Sequence, residues 1–324
     1  MSDRLSKFGR ILMVSPYDVS VPGGVQGQVL GLSRALGDLG HEVTVVAPTS
    51  ASPLQDVEVL SMGAPRPVRA NGSVAPVSLS PRAALAAGRS SRGTDVGIVH
   101  LHEPLAPLLN YGCLLAARAP IVGTFHRSGP SGLYRALKPA VRWVGSRLSA
   151  RCAVSEAARA TAAPWVGGSW DLLFNAVAME AVPRASRDDG GHPVILFVGR
   201  HEPRKGLGVL LDAFSSSRLD ARLWVAGEGP LSAELMRRYP GSETLRWLGR
   251  ITEAEKNEAM AAAQILCAPS IGGESFGVVL LEAMAAGLAV VASDIEGYRS
   301  AAGGHALLVP PGDARGLGEA LRSA

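Results

Sequence analysis

"GRILMVSPYDVSVPGGVQGQVLGLSRALGDLGHEVTVVAP", residues 9–48, decides the fold. "GRILMVS" is an apolar run without polar alternation, as a strand covered on both faces requires. "PYDVSVPGG" is rich in turn formers and reads as a loop. In "VQGQVLGLSRALGDLG", Val25, Val29, Leu32, Leu36 and Leu39 recur at helical spacing, and Gly40 suits the left-handed position after a helix. "HEVTVVAP" is a second strand. Strand, helix and strand within about 40 residues form a βαβ unit, which implies a parallel sheet with helices on its faces.

The pattern continues through "VGIVHLHEP" and "PIVGTFH", apolar runs that end in polar residues. From about residue 160 the periodicity fades through "AAPWVGGSWDLLFNAVAMEAVPRASRDDGGHP", which reads as an interdomain connection. It then restarts: "VILFVGR" strand, "GLGVLLDAFSSS" helix, "ARLWVAGEGP" strand, "LSAELMRRYP" helix, "LRWLGR" strand. Thr252 and Glu255 predict a capping box opening the helix "EAEKNEAMAAAQ". The expected fold class is α/β, with two Rossmann-like parallel-sheet domains, 1–178 and 179–324, facing a central cleft. Ligands of such sheets bind beyond the carboxyl ends of the strands.

The 324 residues suffice for two such domains, and 47% apolar with 19% charged residues excludes a disordered chain. The polar N-terminus "MSDRLSKFGR" has no signal-peptide core and no apolar run spans a bilayer, so a cytoplasmic chain is expected. Cys113, Cys152 and Cys267 are too scattered for a disulfide framework or a zinc site. Residues 1–180 carry 17 Lys and Arg against 11 Asp and Glu, while residues 181–324 carry 15 against 17. The basic first half suits an anionic surface, although an Arg-rich composition alone gives the same balance.

"VILFVGR" delivers Arg200 at a strand end, and "RHEPRK" delivers Lys205 just before a helix. Two cations beside a helix N-terminus favour a diphosphate; the alternative is a pair of surface cations on a loop. "GGESFGVVLLEAMAAG", residues 272–287, places Glu274 and Glu282 eight positions apart in an otherwise small and apolar run. With "FGVVLLEAMAAG" helical, Glu274 lies at or just before the first turn. The two acids are then separated by roughly 12 Å at about 1.5 Å per residue. That span fits a nucleotide sugar, one acid on sugar hydroxyls and the other on ribose hydroxyls. Gly272, Gly273 and Gly277 would let backbone approach the phosphates. The alternative makes Glu282 a buried helix acid paired with an arginine.

His100 and His102 share one strand face and precede Glu103, a set that reads as strand-end polar residues with no metal site. "PGGVQG" lacks the G-x-G-x-x-G spacing and "VVAPTS" ends without an acid for a ribose, which excludes a dehydrogenase. "LYRALKPAVRWVGSRL" sets Leu133, Leu137, Val141, Val144 and Leu148 on one helical face, with Arg135, Lys138 and Arg142 off it. This is the core-facing stripe of a surface helix, or a basic amphipathic helix on an anionic membrane.

An acid, seven residues and an acid in "ESFGVVLLE", with the upstream "GR" and a following Lys, resembles the donor site of family 4 retaining glycosyltransferases of the GT-B fold. "PYDVSVPGGVQGQV", "NGSVA" at 71–75, "HLHEPLAP", "GTFH" and "APSIGGESFGVVLLEAMAAGLAVVASD" look more narrowly like the bacterial phosphatidylinositol mannosyltransferase group.

The resemblance implies transfer of mannose from GDP-mannose to phosphatidylinositol by a peripheral protein on the inner face of the cell membrane. No tightly bound cofactor and no nucleic acid are implied, and neither the base, the Mg2+ requirement nor the oligomeric state is legible. Arg200 and Lys205 would neutralise the diphosphate, Glu274 bind the sugar and Glu282 the ribose, with Gly24, Gly273, Phe276 and Gly277 lining the donor. Tyr17, Gly23, Gly24, Gln26 and His126 would serve the acceptor side, His126 also touching the transferring sugar. Gly23 and Gly24 would form a flexible loop after the first strand. Catalysis would rest on Arg200, Lys205, Glu274 and His126 through charge and positioning.

Three places depart from the group's pattern: Pro76 stands where a basic residue is expected, the following cluster is thinned to Arg82, Arg89 and Arg92, and the hinge reads "NAV" at 175–177. The chain also stops at "GEALRSA", short of the crossover helices the resemblance implies. Another nucleotide sugar with a soluble or different lipid acceptor, or a nucleotide-sugar-binding protein without turnover, are the alternatives.

Overall fold

The structure, a computed structural model, describes residues 9–51, 56–70, 73–129, 132–177 and 191–324. The chain divides into two compact units, Met1–Ala176 and Val177–Ala324. "NGSVA" at 71–75 and the stretch 178–190 fall wholly or partly outside the described residues.

The first unit holds β1 (Arg10–Val14), β2 (Val43–Ala47), β3 (Glu58–Ser61), β4 (Arg66–Ala70), β5 (Ser73–Val77), β6 (Val96–His102), β7 (Ile121–Phe125), β8 (Ala150–Ala153) and β9 (Asp171–Leu172). Seven form one parallel sheet in the order β3-β2-β1-β6-β7-β8-β9, and β4 and β5 pair separately as an antiparallel hairpin. Leu12, Met13 and Val14 are fully buried, as expected for a strand with helices over both faces.

The second unit holds β10 (Val194–Val198), β11 (Arg222–Ala226), β12 (Leu245–Gly249), β13 (Ile265–Ala268), β14 (Ala289–Ser293) and β15 (Leu307–Val309), all parallel in the order β12-β11-β10-β13-β14-β15. Residues of β10 alternate between two cores: Ile195 and Phe197 pack in one, Val194 and Leu196 in the other. This is the period-two consequence of the strand pleat.

Each order reverses direction beside the unit's first strand, between β1 and β6 and between β10 and β13. At such a switch point neighbouring loops diverge to opposite faces and leave a crevice at the carboxyl ends. The loops after β1, β6, β10 and β13 carry most of the residues singled out in the sequence.

Four local expectations need correction. The stretch of fading periodicity opens with the end of helix Glu156–Val166 and with β9, which pairs with β8, and only its later part holds the boundary between the two units, at Ala176 and Val177. The Ala-rich turns of that helix present small side chains on every face, so no stripe stands out. Leu137 interrupts the stripe of 133–148: helices Gly132–Ala136 and Lys138–Arg147 break there, and Leu137 is 50% exposed, while Val141, Val144 and Leu148 are buried. Gly24 begins helix Gly24–Asp38, while Gly23, its N-cap, keeps extended backbone (φ 177°, ψ 155°) at the end of the loop after β1. The stripe of that helix ends before Leu39, which is exposed, and Gly40 adopts φ +91° as its position requires. The Thr252–Glu255 capping box is present in full. Among the described residues, no helix is long and apolar enough to cross a membrane.

Candidate active site

In the second unit the loops after β10 and β13 are locked together. Beyond β10 come Arg200, one 3₁₀ turn (Pro203–Lys205) and helix Leu207–Ser217. Between turn and helix, Gly206 adopts φ +66°, and a Cβ there would collide with the Pro269 carbonyl. Only glycine permits both the conformation and the approach. The two loops then share a backbone hydrogen bond, Ile271 N–H donating to Arg204 O at 2.8 Å.

That contact brings distant charges together. Lys205 Nζ lies 2.8 Å from Glu274 Oε1, and Arg204 Nη1 lies 2.7 Å from the same oxygen. Arg204 also donates to the Gly273 carbonyl at 3.2 Å and, through Nε, to Glu202 Oε2 at 3.0 Å. The other oxygen of Glu202 meets Arg200 Nε at 3.2 Å. Glu202 is 2% exposed, so this carboxylate is a buried hub aligning two arginines. Three cations against two carboxylates leave one net positive charge, at the uncapped N-terminus of an 11-residue helix. Such an arrangement attracts a phosphate. Sequence reasoning missed Glu202 and Arg204; an acid between cations in "RHEPRK" was the available signal.

Glu274 does not sit on a helix. The helix begins at Val278, with Gly277 as N-cap at φ +98° and the Tyr298 ring packed where a Cβ would stand. Tyr298 is buried, its hydroxyl 2.8 Å from Ser270 Oγ at the end of β13. Phe276 is buried beside it in the same core, and Gly273 adopts φ +74°. Glu282 lies in the second turn of helix Val278–Ala285, and its partner is a lysine, not an arginine. Lys256 Nζ stands 2.9 Å from Glu282 Oε1 and 2.6 Å from Glu253. Both acids of the 272–287 segment thus have cations that offset their burial.

In the first unit, the carboxyl ends of β6 and β7 form a second cluster. His100 Nε2 contacts Thr124 Oγ1 at 2.7 Å, His102 Nδ1 contacts His126 Nε2 at 2.9 Å, and His102 Nε2 contacts Met13 Sδ at 3.0 Å. The rings stack, His100 on His102 at 4.5 Å and His102 on His126 at 5.1 Å. Burial lowers all three, His100 to about 4, His126 to about 3 and His102 well below the usual imidazole range. Among the described residues no three His, Cys, Asp or Glu side chains are grouped to hold a metal.

Glu103 is also buried, with φ +52°. Its Oε2 accepts from the His126 amide at 3.2 Å, and Asn110 Nδ2 donates to the carbonyls of His102 (3.1 Å) and Glu103 (2.8 Å). Burial pushes the Glu103 carboxyl up to about 7, against the pull of the His126 amide and Arg127. Tyr17, after β1, is raised by burial and then by the nearby Glu103 carboxyl. Gln26 packs its amide against Gly23, whose missing side chain makes the space, while Gly24 faces open space. Tyr17 and His126 therefore share the surroundings of Glu103, whereas Gly23, Gly24 and Gln26 belong to the helix start.

Comparisons with known proteins agree along the chain. The family model described as Glycosyltransferase Family 4 matches residues 22–171, and that described as Glycosyl transferases group 1 matches 192–324. A phosphatidyl-myo-inositol mannosyltransferase of Mycobacterium leprae is 39% identical over 327 residues, covering 96% of this chain and 86% of that protein. A GDP-mannose-dependent alpha-mannosyltransferase of Mycobacterium tuberculosis is 28% identical, covering 94% and 84%. Among solved structures, Anabaena Alr3699/HepE in complex with UDP and glucose matches with a TM-score of 0.75 at 19% identity, covering 97% of this chain and 89% of that one.

Proposed function

The chain belongs to glycosyltransferase family 4, in the family of the phosphatidyl-myo-inositol mannosyltransferases, and from that premise we propose that it moves mannose from GDP-mannose to phosphatidylinositol. Its fold is GT-B and it is a glycosyltransferase. The observation that supports the donor reading most is the Glu274 carboxylate held between Arg204 and Lys205 at the β10/β13 switch point.

As the glycosidic bond breaks, negative charge grows on the departing diphosphate. Arg200, Lys205 and the amides opening helix Leu207–Ser217 neutralise it, in an orientation set before substrate arrives. Glu274 and Gly273 hold the sugar, with Phe276 and Gly277 shaping the loop beneath it. Glu282, paired with Lys256, accepts from the ribose hydroxyls. His126 meets the transferring sugar, while Tyr17, Gly23, Gly24 and Gln26 serve the acceptor. No protein nucleophile is assigned: the departing phosphate oxygen takes the proton of the attacking hydroxyl on the same face, which retains the anomeric configuration. The acceptor lipid draws the basic first half of the chain to the inner membrane face.

The test is mannosyl transfer from GDP-mannose to vesicles containing phosphatidylinositol, run beside UDP-glucose as donor and soluble inositol phosphate as acceptor. Mannolipid should form only with GDP-mannose and lipid, and Lys205→Ala should slow it about 100-fold, the scale of one lost charge-stabilising donor. Equal transfer to soluble inositol phosphate would reject the lipid acceptor, and equal use of UDP-glucose would reject the donor.

A further inference from the structure

Met13 and two of the stacked imidazoles form a chain whose proton positions follow from chemistry. A thioether sulfur has lone pairs but no proton to give. Its 3.0 Å contact with His102 Nε2 therefore puts a proton on that nitrogen. Burial keeps the His102 ring neutral, so its Nδ1 holds a lone pair. The 2.9 Å contact between the two histidines then runs in one direction, His126 Nε2–H donating to His102 Nδ1. His126 is likewise kept neutral by burial, and its remaining nitrogen, Nδ1, is left as an acceptor.

The main chain of His126 is pinned independently. Its N–H donates to Glu103 Oε2, and Glu103 keeps its left-handed φ of +52° because Asn110 ties down the carbonyls on either side of that peptide. Ring and backbone are thus both set from the carboxyl end of β6, the ring through His102 and the backbone through Glu103.

We propose that His102 and Met13 are positioning residues that lock His126 in its Nε2-protonated tautomer, so that Nδ1 accepts a hydrogen bond from a hydroxyl of the transferring sugar. The sugar contact rests on the role assigned to His126 above; the tautomer does not. The opposite tautomer would present an N–H there, which cannot accept from a hydroxyl.

The experiment records ring nitrogen shifts by long-range 1H–15N NMR on the full labelled chain, together with kcat and KM for GDP-mannose. Wild type should show Nε2–H at both His102 and His126. Met13→Leu, close in volume, should let His102 populate its Nδ1–H form and mix the His126 tautomers. Its kcat should fall about tenfold with KM nearly unchanged, as for an interaction made in the transition state. His102→Asn, whose amide oxygen replaces the Nδ1 lone pair, should restore the His126 tautomer and most of kcat, whereas His102→Leu should not. A His126→Ala protein with wild-type kcat would sink the sugar contact and leave the tautomer result intact. An Nδ1–H tautomer at His126 in the wild-type spectrum would overturn the proposal, without recourse to any variant that folds poorly.

Discussion

Lys256 Nζ lies 2.9 Å from Glu282 Oε1, joining helix Glu253–Ala262 to helix Val278–Ala285. Burial works against the Lys256 charge, but Glu282 and Glu253 outweigh it and hold the ammonium above its usual range. The cation and carboxylate are 12% and 26% exposed, too dry for either to be left alone cheaply.

Lys256→Met should therefore cost about 1–3 kcal/mol, the penalty of an unpaired, partly buried carboxylate. It should also raise KM for the nucleotide sugar several-fold. Urea melts of Lys256→Met, Glu282→Gln and the double variant measure the coupling, and strictly additive effects would show that the pair contributes nothing.

Arg204 makes three contacts through its planar fork, to Glu202, Gly273 and Glu274, which the single ammonium of lysine cannot reproduce. Arg204→Lys should lower kcat/KM about tenfold or more while Tm moves little. Steady-state kinetics beside a thermal melt decide it: unchanged kinetics would leave Arg204 a mere surface brace.

The histidine stack predicts acid sensitivity. Unfolding returns each imidazole to an ordinary value of 6.5, whereas folded His100 and His126 bind protons only near about 4 and 3. Below 6.5 the unfolded chain takes up more protons, so this stabilisation is complete above that pH and drains away as pH falls toward the folded values. Glu103 acts in the opposite sense, since its carboxyl rises from 4.5 to about 7 on folding and its contribution is lost as pH climbs through that window. Melts between pH 4.5 and 7.5 should show a slope that flattens in His100→Gln and steepens in Glu103→Gln. Identical slopes in all three proteins would contradict the assignment.

Gly297 lies where a Cβ would strike the Glu274 carbonyl, so the helix Glu296–Ala302 seats the Glu274 loop. Gly297→Ala should displace that loop and weaken nucleotide-sugar binding about tenfold, with a stability loss of about 1–3 kcal/mol typical of overpacking. Calorimetric titration with GDP-mannose checks this, wild-type affinity being the contrary result.

Much of the fold is legible because its signals are local. The unbroken apolar run of β10, the turn glycines and the Thr252–Glu255 box each act over a few residues, and the structure retains them. Legibility failed where local contrast was weak: the Ala-rich helix Glu156–Val166 has no stripe, and β15 is only three residues long. The helix after Glu274 began later than its apolar run suggested, because Gly277 takes a left-handed φ against Tyr298, 21 positions away.

The sequence by itself determined two parallel-sheet halves and nominated Arg200, Lys205, Glu274 and Glu282, since strand and helix periods and strand-end positions are properties of neighbouring residues; His126 was implied only by the family resemblance. Only the tertiary structure decided which side chains meet: Arg204 with Glu274, Lys256 with Glu282, Met13 with His102. Those pairings span 70, 26 and 89 positions, and they depend on which strands lie side by side. Strand order arises from packing the whole sheet between its helices, a collective outcome that no short stretch encodes.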